Sequence, residues 1–189
     1  MRHGETPWSL SGQHTGRTDV ALTARGEDQA RGLEPVLRAL RFDRVLTSPA
    51  LRAQRTCALA GLGPAAQVEP DLAEWDYGDY EGRRTSEIWQ GRPGWSVYRD
   101  GCPGGEAPGQ VSARADRLIA RLLALGGATA LFSHGHFGCC LAARWIGLPV
   151  AHGGSFLLST ASLSVLGTDS SHHGMRVVAG WNAAAPRHQ

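Results

Sequence analysis

The chain of 189 residues is 42% hydrophobic and 19% charged, a composition that supports one globular core and excludes disordered, collagen-like and fibrous proteins. Its 19 basic and 17 acidic residues leave a formal net charge of +2, too small to indicate a nucleic-acid-binding domain. Every basic residue is an arginine, which excludes catalysis by lysine and predicts that a bound anion would be held by guanidinium groups.

Two further features of the sequence bear on where the protein resides. No apolar run reaches the roughly 18 residues that span a bilayer, and the first residues include Arg2 and Glu5 instead of an apolar signal core. The four cysteines form no Cys-x-x-Cys pair, which in a chain of this length is typical of buried thiols. We therefore expect a cytoplasmic protein with no membrane association and no nucleic-acid partner.

The first half of the chain predicts one βα unit after a turn-rich opening. Thr23 can cap a helix over 23–40, in which Pro35 should introduce a kink or a break. A short buried strand is predicted over 43–47. A helix over 50–60 follows and ends at Gly61, a residue suited to the position after a helix.

The second half predicts a long loop and then further strands and helices. Segment 70–109 is rich in Trp, Tyr, Gly and Pro, which predicts a functional loop with one short helix over 85–90. An amphipathic helix over 111–125, a strand over 128–133 and a helix over 136–145 follow. Segments 155–158, 162–166 and 176–179 are predicted to be short strands. This alternation predicts an α/β fold, a single domain over 1–189 built as a three-layer α/β/α sandwich with a mostly parallel central sheet.

Polar residues cluster at three predicted element ends, 2–6, 48–55 and 133–136. Ligands bind beyond the carboxyl ends of strands in open α/β sheets, so we expect these clusters to meet. Two histidines beside two arginines favour phosphoryl chemistry, in which an imidazole attacks phosphorus and guanidinium groups hold the oxygens. Because arginine supplies the positive charge, the predicted site uses no metal and no cofactor.

The same clusters carry a family resemblance. Arg-His-Gly-Glu-Thr at 2–6, Ser-Pro-Ala-Leu-Arg-Ala at 48–53 and Ser-His-Gly at 133–135 resemble the histidine phosphatase superfamily, the phosphoglycerate mutase-like group. Segments 74–82, 95–105 and 155–167 look like its sedoheptulose-1,7-bisphosphatase-like branch. The resemblance implies that the catalytic residues are His3, Glu74, His134, Arg2 and Arg52. It implies that the substrate-binding residues include Thr15, Gly16, Tyr77, Arg99, Gly135 and His136.

The resemblance also implies an activity. His3 would be phosphorylated, and Glu74 would first protonate the leaving alkoxide and then activate water. The expected substrate is a small sugar phosphate, including bisphosphates such as sedoheptulose 1,7-bisphosphate, whose second phosphate Arg99 would bind. Aromatic neighbours of Glu74 would favour its protonated form by desolvating it, as a general acid requires.

Other interpretations stay open at this point. A mutase would return the phosphoryl group to substrate instead of to water, and a catalytically inactive relative would only bind phosphate. His134 and His136 also form a His-x-His pattern that suits a metal hydrolase. His14 is predicted to be a surface or loop residue. The oligomeric state cannot be read from the sequence.

The N-terminus departs from the family pattern. Family members carry an apolar strand directly before Arg-His-Gly, whereas only Met1 precedes it here. We expect a chain without most of that strand to be less stable by several kcal/mol.

Overall fold

The computed structural model describes residues 1–184, so the last five residues of the predicted domain lie outside the described part. Its helices are α1 (Pro7–Ser11), α2 (Ala24–Arg31), α3 (Glu34–Arg38), α4 (Leu51–Leu59), α5 (Thr85–Gly91), α6 (Val97–Asp100), α7 (Pro108–Leu125) and α8 (Gly135–Trp145). Its strands are β1 (Arg44–Thr47), β2 (Ala66–Val68), β3 (Thr129–Phe132), β4 (Ser162–Asp169) and β5 (Met175–Ala184).

The central sheet is parallel where the sequence predicts it. β1 lies between β2 and β3, and all three run in the same direction, with Val45 opposite both Ala66 and Ala130. Strands β4 and β5 form an antiparallel pair.

Residues 1–3 join the parallel strands to this antiparallel pair. Arg2 forms a single parallel bridge with Ser133, directly after β3. On the other side, its N–H donates to the Ser162 carbonyl at the start of β4. His3 is thereby held in line with the carboxyl end of β3. That an apolar strand before Arg2 would make the fold more stable stays a prediction.

Each face of the sheet carries its own hydrophobic core, because successive strand residues point to opposite sides. Val45 and Phe132 pack with Leu37 of α3 and Cys57 of α4. Leu46 belongs instead to the core on the other face, which includes the side chains of Trp75, Leu118 and Phe137. This confirms a three-layer sandwich with helices on both faces.

The predicted helix over 23–40 is two helices. Thr23 caps α2 by accepting a hydrogen bond from the Gly26 N–H at 2.9 Å, as predicted. The chain breaks after Arg31, and α3 restarts so that Pro35 lies in its first turn. A proline there is tolerated because the first N–H groups of a helix have no intrahelical acceptor. The predicted interruption is confirmed.

The predicted strand over 155–158 is wrong. Val150–Ser155 forms a short 3₁₀ helix, and no regular structure follows until β4. The carbonyls of this segment bond to side chains from elsewhere: Leu157 accepts from the Trp181 indole and Leu158 from the Arg2 guanidinium. Strand β2 and the short helices α1 and α6 were not predicted. No helix within residues 1–184 has the length and hydropathy required to cross a membrane.

Candidate active site

The site begins where neighbouring parallel strands end. Ser48 follows β1 directly, and Ser133 and His134 follow β3. The Ser48 N–H donates to the Phe132 carbonyl at 2.9 Å, and the Ser48 hydroxyl lies 2.7 Å from Nε2 of His134. His3 lies beside the same strand end, and its ring centroid is 5.2 Å from that of His134. Residues far apart in the sequence therefore meet at one edge of the sheet.

The tautomer of His3 follows from one hydrogen bond. Its Nδ1 lies 2.7 Å from the Gly4 carbonyl oxygen, which can only accept, so Nδ1 carries the proton. Nε2 then holds the free electron pair. Burial, Arg2 and Arg52 lower the pKa of His3 well below its usual value. The ring is therefore neutral at neutral pH, as a nucleophile must be.

Three buried side-chain nitrogen atoms among residues 1–184 have no hydrogen-bond partner in the protein. They are Nε of Arg2, Nε of Arg52 and Nδ1 of His134. Buried polar groups are nearly always paired, and an unpaired one costs about 1–3 kcal/mol. All three belong to residues that the sequence assigns to the phosphoryl group. The Ser48 hydroxyl accepts the Ala50 N–H and can donate its own proton to Nε2 of His134, which places the proton of that ring on Nδ1. All three nitrogen atoms can then donate to an anion placed against His3.

The terminal nitrogen atoms of Arg52 already form hydrogen bonds within the protein. Arg52 lies in the first turn of α4 and donates to the carbonyls of Thr15, Gly16 and Thr18 at 2.9–3.0 Å. Gly16 has to be glycine because a Cβ would lie 2.6 Å from the Trp75 carbonyl oxygen. Arg52 thus anchors the loop that contains Thr15.

Glu74 lies at the N-terminus of α8. Its carboxylate accepts the N–H groups of His136 at 3.0 Å and Phe137 at 2.7 Å, and its own neighbour Trp75 donates at 2.9 Å. Orphan N–H groups at helix starts commonly bind carboxylates in this way. Three donors therefore fix the orientation of Glu74.

A cavity of about 310 Å³ opens beside His3. The predicted residues that line it are Arg2, His3, Thr15, Glu74, Tyr77, Gly135 and His136. His134 lies directly behind His3 and is fully buried. Gly16 and Arg52 support the neighbouring loop without lining this cavity. Arg99 is not brought to the cavity: it is exposed on α6 and pairs with Asp100 and the Gly94 carbonyl.

Sequence reasoning missed His14, which was predicted to be a surface or loop residue. The structure places His14 in a loop, as predicted, but not at the surface: its side chain is only 7% exposed and lines the cavity. Its ring stacks on Tyr77 with centroids 4.7 Å apart. The Tyr77 hydroxyl bonds in turn to Nδ1 of His136 at 2.5 Å. In the sequence, the one signal that His14 belongs to the site is its position directly before Thr15 and Gly16.

A buried ion pair holds the segment that presents Glu74. The Arg114 guanidinium on α7 donates to both carboxylate oxygens of Glu106 at 2.9–3.1 Å and to the Ala73 carbonyl at 2.6 Å. Glu106 also accepts the Asp76 N–H at 3.0 Å. This pair, which is 9% and 20% exposed at its two side chains, clamps the backbone on both sides of Glu74.

We expect Arg114→Met to lower both stability and turnover. Breaking a buried pair leaves Glu106 without its cation and costs about 3 kcal/mol in the free energy of unfolding. Displacing Glu74 by a fraction of an ångström would lower kcat by up to about 100-fold with a smaller effect on KM. Denaturant titration and steady-state kinetics below the melting temperature measure both effects. The control is Arg117→Met, because Arg117 lies exposed on the same helix and pairs with Asp71. Equal effects of the two substitutions would contradict the clamp.

The buried histidines predict that stability falls in acid. Burial, the first cause for both rings, lowers the pKa of His14 and of His136 to about 4, against about 6.5 in an unfolded chain. Between these values the unfolded chain binds more protons, so the free energy of unfolding decreases as the pH drops from 6.5 to 4. Each ring contributes up to about 3 kcal/mol to this loss. Urea titrations at pH 7, 5.5 and 4.5 measure it, and His14→Gln should reduce the slope. A stability that stays constant over this range would refute the assignment.

The His134-Gly135-His136 pattern does not gather a metal site. Nowhere in the described residues do three or more His, Cys, Asp and Glu side chains come together in a group suited to a metal ion. Nε2 of His134 faces the Ser48 hydroxyl, while Nδ1 of His136 faces the Tyr77 hydroxyl. The two imidazoles are thus engaged by different partners.

Comparison with known proteins agrees with this geometry. The sequence profile of the histidine phosphatase superfamily (branch 1) matches residues 1–183. An acid phosphatase of Mycobacterium tuberculosis is 44% identical over 183 residues, which cover 95% of this chain and 88% of that protein. A sedoheptulose 1,7-bisphosphatase of Saccharomyces cerevisiae is 40% identical, over 79% of this chain and 67% of that protein. The solved structure of an open reading frame product from Mycobacterium tuberculosis is 41% identical, covers 98% of this chain and 96% of that chain, and superposes with a TM-score of 0.92.

Proposed function

Because this chain belongs to the histidine phosphatase superfamily, we propose that it hydrolyses small sugar phosphates through a phosphohistidine formed on Nε2 of His3. The enzyme is a phosphatase, as are its relatives named acid phosphatase and sedoheptulose 1,7-bisphosphatase. The sugar-phosphate substrate rests on the second of these names and on the polar cavity beside His3.

One observation carries the mechanism: the buried nitrogen atoms that have no partner in the protein belong to the groups next to His3. They are part of His134, whose ring centroid lies 5.2 Å from that of His3, and of Arg2 and Arg52, the two arginines whose charges lower the pKa of His3. A phosphoryl group on Nε2 of His3 would offer three oxygens to Nε of Arg2, Nε of Arg52 and Nδ1 of His134. Donors aimed at developing negative charge in a buried site are the main source of catalysis in phosphoryl transfer. The arrangement supports a transition state with charge spread over those oxygens.

The first half of the reaction makes a phosphoenzyme. The electron pair on Nε2 of His3 forms the N–P bond as the ester P–O bond breaks. Glu74 transfers its proton to the leaving oxygen, which departs as an alcohol. The residue lines the same cavity as His3, and its three N–H donors hold it there.

The second half returns the enzyme to its starting state. A water molecule attacks phosphorus and gives its proton to Glu74. The N–P bond then breaks, and inorganic phosphate leaves. Arg2 and Arg52 supply the positive charge in both halves, which is why we propose a reaction without a metal ion or cofactor.

Phosphate release in excess chelator tests the proposal. The panel contains sedoheptulose 1,7-bisphosphate, fructose 1,6-bisphosphate, 3-phosphoglycerate and an aryl phosphate, with detection of a phosphohistidine by mass at neutral pH. We expect phosphate release and a phosphoenzyme that the chelator does not affect. Activity lost in chelator and restored by a metal would refute the metal-free mechanism. Isomerisation of 3-phosphoglycerate without phosphate release would establish a mutase instead.

A further inference from the structure

We propose that the enzyme prefers phosphate monoesters with a single phosphate, whose alcohol part is uncharged and has an apolar face, over bisphosphates. This inference rests on the phosphatase function proposed above and names its substrate class. Among residues 1–184, Arg2 is the one arginine that lines the cavity, and Arg2 lies at the phosphoryl end beside His3. Within this cavity a second phosphate would therefore meet no guanidinium group besides that of Arg2, which also donates to the Leu158 carbonyl.

Arg99 does not supply this charge. The sequence predicted it as the partner of a second phosphate, but its side chain is 64% exposed and engaged by Asp100 on α6. Arg17 lines an adjoining cavity of about 420 Å³ that shares Glu74 with the first one, but its guanidinium is already paired with Asp76 at 2.8 Å.

The two further histidines of the cavity do not supply it either. His14 stacks on Tyr77, and its Nε2 lies 3.3 Å from the Thr85 hydroxyl. Nδ1 of His136 is bonded to the Tyr77 hydroxyl. Burial keeps the pKa of both rings at about 4, so they are uncharged at neutral pH. Glu74, which also lines the cavity, adds negative charge when ionised.

The remaining walls suit an uncharged group. The lining includes the rings of Tyr77 and Tyr98 and the apolar side chains of Phe156, Leu157 and Leu158. Its other polar side chains are uncharged hydroxyl and amide groups, those of Ser9, Gln13, Thr15 and Thr85. Such walls favour the C–H face of a sugar ring or an aryl group. A phosphate dianion placed there would lose hydration without gaining an ion pair, which is strongly unfavourable.

The test compares matched substrates. We expect kcat/KM for fructose 1-phosphate or fructose 6-phosphate to exceed that for fructose 1,6-bisphosphate by at least about tenfold, a difference near 1.4 kcal/mol. Leu157→Arg then adds one cation at the cavity mouth. Leu157 is 76% exposed, so the variant should fold. We expect this substitution to raise the bisphosphate-to-monophosphate ratio at least fivefold above that of Leu157→Gln, which removes the same leucine without adding charge.

Two results would overturn the inference. One is a wild-type enzyme that hydrolyses the bisphosphate as well as the monophosphates or better. The other is a ratio that Leu157→Arg and Leu157→Gln change equally, since the discrimination would then not come from missing charge. Absence of phosphate release and of phosphohistidine with every substrate would instead refute the proposed function, and the inference with it.

Discussion

Replacing His3 by alanine is expected to abolish phosphate release, with kcat reduced by at least about 10⁴-fold. The nucleophile disappears, while Arg2 and Arg52 remain to bind the phosphoryl group. Binding of substrate should therefore persist although turnover does not. Phosphate release, together with detection of the phosphohistidine at neutral or alkaline pH, where the N–P bond survives, measures the effect.

The control for this substitution is His152→Ala, because His152 is exposed in the 3₁₀ helix before β4. It should retain wild-type turnover and phosphoenzyme. Melting temperatures of both variants verify that the fold persists. A His3→Ala enzyme that still forms phosphohistidine would place the nucleophile on another ring, with His134 the nearest alternative.

The substitution Glu74→Gln is expected to have the second largest effect, and its size should depend on the leaving group. A sugar alkoxide is a poor leaving group and needs the proton of Glu74, so kcat should fall by about 10²–10⁴-fold. An aryl oxide leaves without such help. With an aryl phosphate we therefore expect a rapid burst of aryl alcohol, followed by slow phosphate release as the phosphoenzyme accumulates.

Burst kinetics and the amount of phosphohistidine at steady state separate the two roles of Glu74. The matched control is Glu34→Gln, since Glu34 is a surface carboxylate paired with Arg38 on α3. Wild-type turnover of a sugar phosphate by Glu74→Gln would eliminate Glu74 as the acid. An equal loss with sugar and aryl phosphates would mean that Glu74 shapes the site without transferring a proton to the leaving group.

Local patterns predicted the parts of the fold that local forces decide. The strand at 43–47 and the helices on either side of it follow from hydrophobic periodicity and from the caps at Thr23 and Gly61. The meeting of His3 with His134 followed from the rule that parallel strands carry sites at their carboxyl ends.

Long-range contacts decided the rest. The segment 155–158 has the composition of a strand, but its carbonyls are taken by Trp181 and Arg2 from distant parts of the chain. His14 is an isolated polar residue in a loop, and its burial depends on stacking against Tyr77, which lies 63 positions later in the chain. No local sequence pattern predicts a contact between residues so far apart in the chain. The direction in which the Arg99 side chain leaves the four-residue helix α6 could not be predicted from local patterns either.

The unpaired nitrogen atoms of Arg2, Arg52 and His134 imply a trade-off between stability and function. No protein group pairs with these three buried nitrogen atoms, and a buried polar group left without a partner costs about 1–3 kcal/mol. An anion that pairs with them restores this free energy only in the folded state, so the melting temperature should rise with the concentration of inorganic phosphate. The product of the reaction would thus protect the enzyme from unfolding, and proteolytic resistance would depend on how much phosphate surrounds it.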